Sequence, residues 1–172
     1  PAEHPNVIGI HSNSKWGRGL GRRLGWVQAA PEVIDALERV QQCSLLCADT
    51  LSQMAMTRYL NQAVADGSLR AYVAEWNERY RHAAQVTAEA VDTYLGRPRL
   101  DSMGGLYTVV NIGSDADTFV PRALQATGVL VVPGRGFGPS LAEGVRISYG
   151  PLVMNTEIIR EGLERLGRWM GQ

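Results

Sequence analysis

Lysine is nearly missing from this sequence: of 17 basic residues in 172, Lys15 is the only one that is not arginine. Cysteine is almost as scarce. Cys43 and Cys47 are the only two, four apart in a helical stretch. They read as small, reduced core or interface residues, which argues against a disulfide framework or a zinc site. No apolar run approaches the roughly 20 residues that span a bilayer, so no membrane partner is expected. Residues 1–10, PAEHPNVIGI, lack the basic start and cleavage site of a secretory leader, and the expected compartment is the cytoplasm. Net charge is zero, so there is no overall field to draw in nucleic acid or an anionic surface. Repeats and low-complexity segments are absent too. His4, His11 and His82 have no partner at metal-ligand or triad spacing, and no metal is expected. Apolar residues at 45% with 20% charged place the chain among globular proteins.

The patterning that is present indicates an α/β chain. VIGIH (7–11) and LGWVQA (24–29) read as short strands on either side of the lysine stretch. A helix follows, with Pro31 in its first turn and Val33, Ile34, Leu37 and Val40 at helical spacing. A second helix is predicted from Thr50 to Ala65. Ser68 reads as the cap of a long helix reaching Leu95, stopped by Gly96 and Pro98. Its apolar stripe is Leu69, Tyr72, Trp76, Tyr80, Ala83, Val91 and Tyr94, with Thr87 filling the remaining turn. Beyond it come strands at GLYTVVNI (105–112), GVLVVPG (128–134) and VRISYG (145–150). A helix from Thr118 to Ala126, with Asp117 as its cap, and a last helix from Asn155 to Met170 complete a small α/β unit. The boundary between two pieces is expected inside the long helix, giving units of 1–82 and 83–172. Tyr107 reads as a core tyrosine, and Arg22 and Arg135 as solvated surface arginines.

The stretch HSNSKWGRGLGRRLGW (11–26) concentrates the chemistry. Ser12 and Ser14 offer hydroxyls, four glycines (17, 19, 21 and 25) allow close backbone approach, and Arg23 follows eight residues after the lysine. Hydroxyls, N–H groups and a guanidinium fork suit a phosphate dianion. A lysine amine can lose its proton and condense with an aldehyde, which an always-protonated arginine cannot do. The pattern fits an aldehyde cofactor that carries a phosphate. Competing readings are a surface lysine in a basic loop, or an arginine-glycine segment that binds nucleic acid. Zero net charge and the flanking apolar strands argue against the latter.

The stretch resembles the cofactor-lysine motif of the class I/II aminotransferases, the fold-type-I enzymes dependent on pyridoxal 5′-phosphate. The matching positions are Ser12, Ser14, Lys15, Gly21, Arg23, Gly25 and Trp26. Three more blocks agree in order and spacing: GGLYTVV (104–110), GVLVVPGRGFG (128–138) and VRISYG. The resemblance implies that Lys15 forms the internal aldimine and carries the proton in catalysis. Ser12, Ser14 and Arg23 would bind the cofactor phosphate, with Ser14 alternatively a loop-stabilising hydroxyl. Arg146 would hold the substrate α-carboxylate; its other reading is a structural arginine paired with a core carboxylate. The fold implied is the C-terminal part of such an enzyme: the end of the large cofactor-binding domain (1–82) and the small α/β domain (83–172). Family chains are considerably longer, so this segment alone is expected to be inactive. The implied enzyme is a homodimer that transfers an amino group between an amino acid and a 2-oxo acid. Asn13, Gly17, Arg18 and Gly19 depart from the family pattern. They leave open a lyase, oxidase or cyclase on the same scaffold, beside the ligand-sensing half of a transcription regulator.

Overall fold

The computed structural model describes residue 4, residues 6–16 and residues 21–171. Residues 17–20 fall outside it, and with them the departures at Gly17, Arg18 and Gly19. Packing divides the chain within one helix, between Ala74 and Glu75.

In the first unit, β1 (Gly9–Ser12) pairs antiparallel with β2 (Gly25–Gln28), Ser12 lying opposite Gly25. Helix α1 (Pro31–Ser44) starts with proline in its first turn, where the missing N–H has no helical partner to lose. Helix α2 (Thr50–Ala65) is capped by Asp49, whose carboxylate accepts the Ser52 N–H at 2.8 Å. Ser52 holds the Asp49 carboxyl below the usual carboxylate range, its side-chain hydroxyl first and this N–H second. Buried apolar residues are few here: Leu24, Met56 and Ala63. Cys43 and Cys47 are exposed thiols, not core residues. Cys43 lies on α1, which buries none of its side chains, and Cys47 follows the end of that helix.

Helix α3 (Ser68–Ala90) carries the chain into the second unit and continues as a π-helical turn, Val91–Leu95. Ser68 is its first residue, and Asp66 accepts the Ser68 N–H at 2.9 Å. A three-stranded antiparallel sheet follows, in the order β3 (Tyr107–Asn111), β5 (Gly144–Ser148), β4 (Val132–Pro133). Val109 and Val132 both lie opposite Arg146. Helix α4 (Ala116–Thr127) is capped by Asp115 rather than Asp117, which sits in its first turn. The amphipathic helix α5 (Glu157–Met170) buries Ile159, Gly162, Leu163 and Leu166. The core of this unit joins Ala83, Ala90 and Val91 to Val110, Val145, Ile147, Tyr149 and Leu166. Among the described residues no helix is long and apolar enough to cross a membrane.

Candidate active site

Lys15 stands on the connection between β1 and β2, its side chain exposed. The start of that connection is fixed by two backbone bonds. The Ser14 N–H donates to the Ser12 hydroxyl at 3.2 Å, and the Asn13 N–H donates to the Leu24 carbonyl at 3.1 Å. The second bond extends the β1–β2 ladder and draws Arg23 and Leu24 alongside Asn13 and Ser14. Leu24 is buried and Arg23 exposed. Gly25 is required at the base: a Cβ there would sit 2.6 Å from the His11 carbonyl oxygen. The hairpin is braced by aromatic contacts, His11 stacking on Trp26 at 4.9 Å and Trp16 meeting Trp26 edge-on at 6.2 Å.

Two features of this connection are not ordinary loop geometry. Arg23 holds a left-handed backbone, φ 54°, which disfavours a side chain with a Cβ. Asn13 is 6% exposed, and its side-chain Oδ1 is buried without a hydrogen-bond partner among the described residues. An acceptor left in that state costs about 1–3 kcal/mol. The groups on this connection suit a phosphorylated aldehyde: the exposed Ser12 hydroxyl, half-buried Ser14, the exposed Arg23 guanidinium, the exposed primary amine of Lys15, and backbone drawn close by Gly25. Pyridoxal 5′-phosphate, a phosphorylated aldehyde, is chemically compatible with this set.

Arg146 lies in the second unit, in the central strand β5. Its neighbours Val145 and Ile147 point into the core, while Arg146 shares the opposite, partly exposed face with Ser148. Register places Val109 on that face, and strand alternation adds Tyr107. The guanidinium carbon lies 5.0 Å from the Tyr107 ring centroid and 5.0 Å from that of Phe137. Among the described residues no carboxylate pairs with it. Its Nε–H is buried and has no hydrogen-bond partner among the described residues.

Tyr107 is 49% exposed, so it is a surface ring over Arg146 and not a core tyrosine. Alternation within GLYTVVNI carried the signal, since Thr108 and Val110 take the buried face. Phe137 had no comparable signal; it is brought in by a 3₁₀ turn, Gly134–Phe137. Arg135, read as a solvated arginine, anchors that turn. Its Nη2 and Nε reach Asp115 at 2.6 Å and Asp117 at 2.7 Å, at the start of α4. The bond from Arg135 is the largest reason the Asp115 carboxyl lies below the usual range, followed by the Thr118 N–H. Tyr149, just past β5, is buried. Burial raises its phenol pKa, against a smaller opposing pull from Ser102.

Residues 2–166 match the family described as aminotransferase class I and II. Among curated relatives, the aspartate/prephenate aminotransferase of Thermus thermophilus is 33% identical over 171 residues, covering 97% of this chain and 42% of that protein. The (5-formylfuran-3-yl)methyl phosphate transaminase of Methanocaldococcus jannaschii is 28% identical over 166 residues, covering 96% of this chain and 42% of that protein. Among solved structures, the aromatic aminotransferase of Pyrococcus horikoshii superposes with a TM-score of 0.84 at 27% identity, over 95% of this chain and 43% of that one. The chain thus spans about two fifths of the length of the relatives it matches. Its fold is that of the C-terminal portion of fold-type-I aminotransferases, a family generally dependent on pyridoxal 5′-phosphate. By a match that runs through both units and nearly from end to end, this chain belongs to the class I and II aminotransferases.

Proposed function

We propose that the chain is the lysine-bearing portion of a pyridoxal 5′-phosphate-dependent aminotransferase that moves an amino group between an amino acid and a 2-oxo acid. The observation that carries this reading is the position of the sole lysine. It stands on a hydrogen-bonded connection beside Ser12 and Ser14, in a chain that matches the family along its length. When bound, the cofactor would act as the electron sink that makes the substrate Cα–H acidic. Lys15 Nζ would hold the cofactor through its amine and would be the group that carries the Cα proton. Ser12, Ser14 and Arg23 bind the phosphate, and Arg146 takes the α-carboxylate through its guanidinium fork. Residues 1–82 then belong to the large domain and 83–172 to the small one. The working enzyme is a cytoplasmic homodimer in this reading.

The test uses Lys15→Arg, which keeps the charge and removes the usable amine. In the cofactor-loaded enzyme, borohydride treatment should fix the cofactor to the peptide containing residue 15. The variant should lose that adduct together with roughly 10²–10⁴-fold of its rate, the usual share of a positioned proton carrier. Undiminished labelling in Lys15→Arg would sink the reading. Incubation with an amino acid and no 2-oxo acid separates transfer from its alternatives. A single turnover that stalls supports transamination, while continuous release of ammonia or uptake of oxygen supports elimination or oxidation.

A further inference from the structure

We propose that Tyr107 and Phe137 form a two-ring clamp that positions the Arg146 guanidinium for the substrate carboxylate. The proposal rests on Arg146 being the carboxylate-binding residue. A guanidinium on a strand face ordinarily wanders among rotamers or is held by a neighbouring carboxylate. Here neither describes the geometry. Both ring centroids lie 5.0 Å from the guanidinium carbon, inside the range of roughly 6 Å over which a ring face attracts a cation.

The two rings reach Arg146 from separate elements, and each element is fixed by its own contacts. Tyr107 opens β3, where its carbonyl accepts the Ser102 hydroxyl at 3.1 Å. Phe137 ends the 3₁₀ turn that Arg135 ties to Asp115 and Asp117. A ring quadrupole confines a cation without neutralising it. An arginine held by aromatic faces therefore keeps its full charge for an incoming anion, whereas one held by aspartate would first have to exchange partners. The Nε–H, buried and without a hydrogen-bond partner among the described residues, fits the same picture: that side of the group is closed off from water. With Nε closed in, the donors left to meet a ligand are those of the terminal nitrogens. Tyr107 and Phe137 are themselves 49% and 51% exposed, so this face of the sheet is open to solvent beside the rings.

The carboxylate is common to amino acid and 2-oxo acid, so loosening the clamp should raise both KM values together and leave kcat nearly unchanged. In the cofactor-loaded enzyme, Tyr107→Leu and Phe137→Leu should each raise both KM values, and weaken calorimetric binding of propanoate, by about three- to tenfold. The ring-keeping variants Tyr107→Phe and Phe137→Tyr should restore both readouts. Leucine variants that bind as the parent does, while Arg146→Ala loses binding, would overturn the clamp and leave the reading of Arg146 intact. Undiminished binding in Arg146→Ala would remove the reading beneath it. A leucine effect confined to kcat, or one that the ring-keeping variants fail to reverse, also overturns the clamp. Should a leucine variant not fold, the parent enzyme decides by NMR. Flanking rings must shift the Arg146 Nε–H proton upfield of the other arginines, and an ordinary position for it counts against the proposal.

Discussion

At the scale of single residues, Arg23 separates function from stability most cleanly. Its left-handed backbone, φ 54°, is a conformation in which a Cβ crowds the chain, at a cost of about 1 kcal/mol. Glycine would take the same conformation freely, at the expense of more entropy in the unfolded chain. Arg23→Gly should therefore change stability by no more than about 1 kcal/mol, as measured by thermal unfolding. Cofactor affinity should fall by about 1.5–3 kcal/mol, the worth of a charge-assisted hydrogen bond, as read from an absorbance titration. A variant that melts early yet binds cofactor normally would make Arg23 a structural residue. The residue type and its spacing from Lys15 were legible in the sequence because guanidinium chemistry is local. Its strain was not, because nothing in GRRLG says which residue of the connection turns left-handed. Tyr107 shows the complementary failure: its apolar ring suggested burial, but strand alternation turned it toward the face that carries Arg146.

At the scale of elements, helices were easier to read than strands. The bounds of α2, Thr50 to Ala65, follow from the sequence because periodicity and the Asp66-Gly67 stop agree. The apolar run at 128–134 looked like a full strand, yet only Val132 and Pro133 pair in the sheet. Its apolarity serves burial against a helix instead: a Cβ on Gly162 of α5 would lie 3.8 Å from the Val129 side chain. The cap of α4 moved from Asp117 to Asp115 because the Asp115 carboxylate takes both the N–H and the hydroxyl of Thr118, each at 3.0 Å. The long helix reaches Leu95 as expected, but its last turn is a π-turn, and α5 packs directly on that turn's backbone at Gly167. A Cβ there would collide with the Tyr94 carbonyl oxygen, which is backbone and cannot swing away. Gly167→Ala should thus destabilise the protein by about 1–3 kcal/mol despite the higher helix propensity of alanine. Denaturant unfolding measures this. A neutral or stabilised variant would mean that α5 shifts along the π-turn at little cost.

At the scale of the whole chain, burial is distributed unevenly between the units, and this has a measurable consequence. Val110, Val145 and Leu166 in the second unit are completely buried, whereas α1 in the first buries nothing. Leu45, Leu46 and Leu51 are 80%, 70% and 75% exposed, and Val40 is 67% exposed. The helical spacing of Val33, Ile34, Leu37 and Val40 announced a face suited to burial. Periodicity identifies such a face but not what covers it, so the extent of its exposure could not be read in advance. Local opening free energy follows the apolar contacts an opening breaks, from near zero where there are few up to the global value in a core. In the 172-residue chain, amides of β5 and of the Leu163–Leu166 turn should therefore exchange slowest. Those of α1 should exchange faster by several orders of magnitude, at about 1.4 kcal/mol per tenfold. Hydrogen exchange followed by mass spectrometry reads both on the same sample. Equal protection in α1 and β5 would mean that the α1 face is covered in solution, and a matching rise in molecular mass would identify a second copy of the chain as the cover.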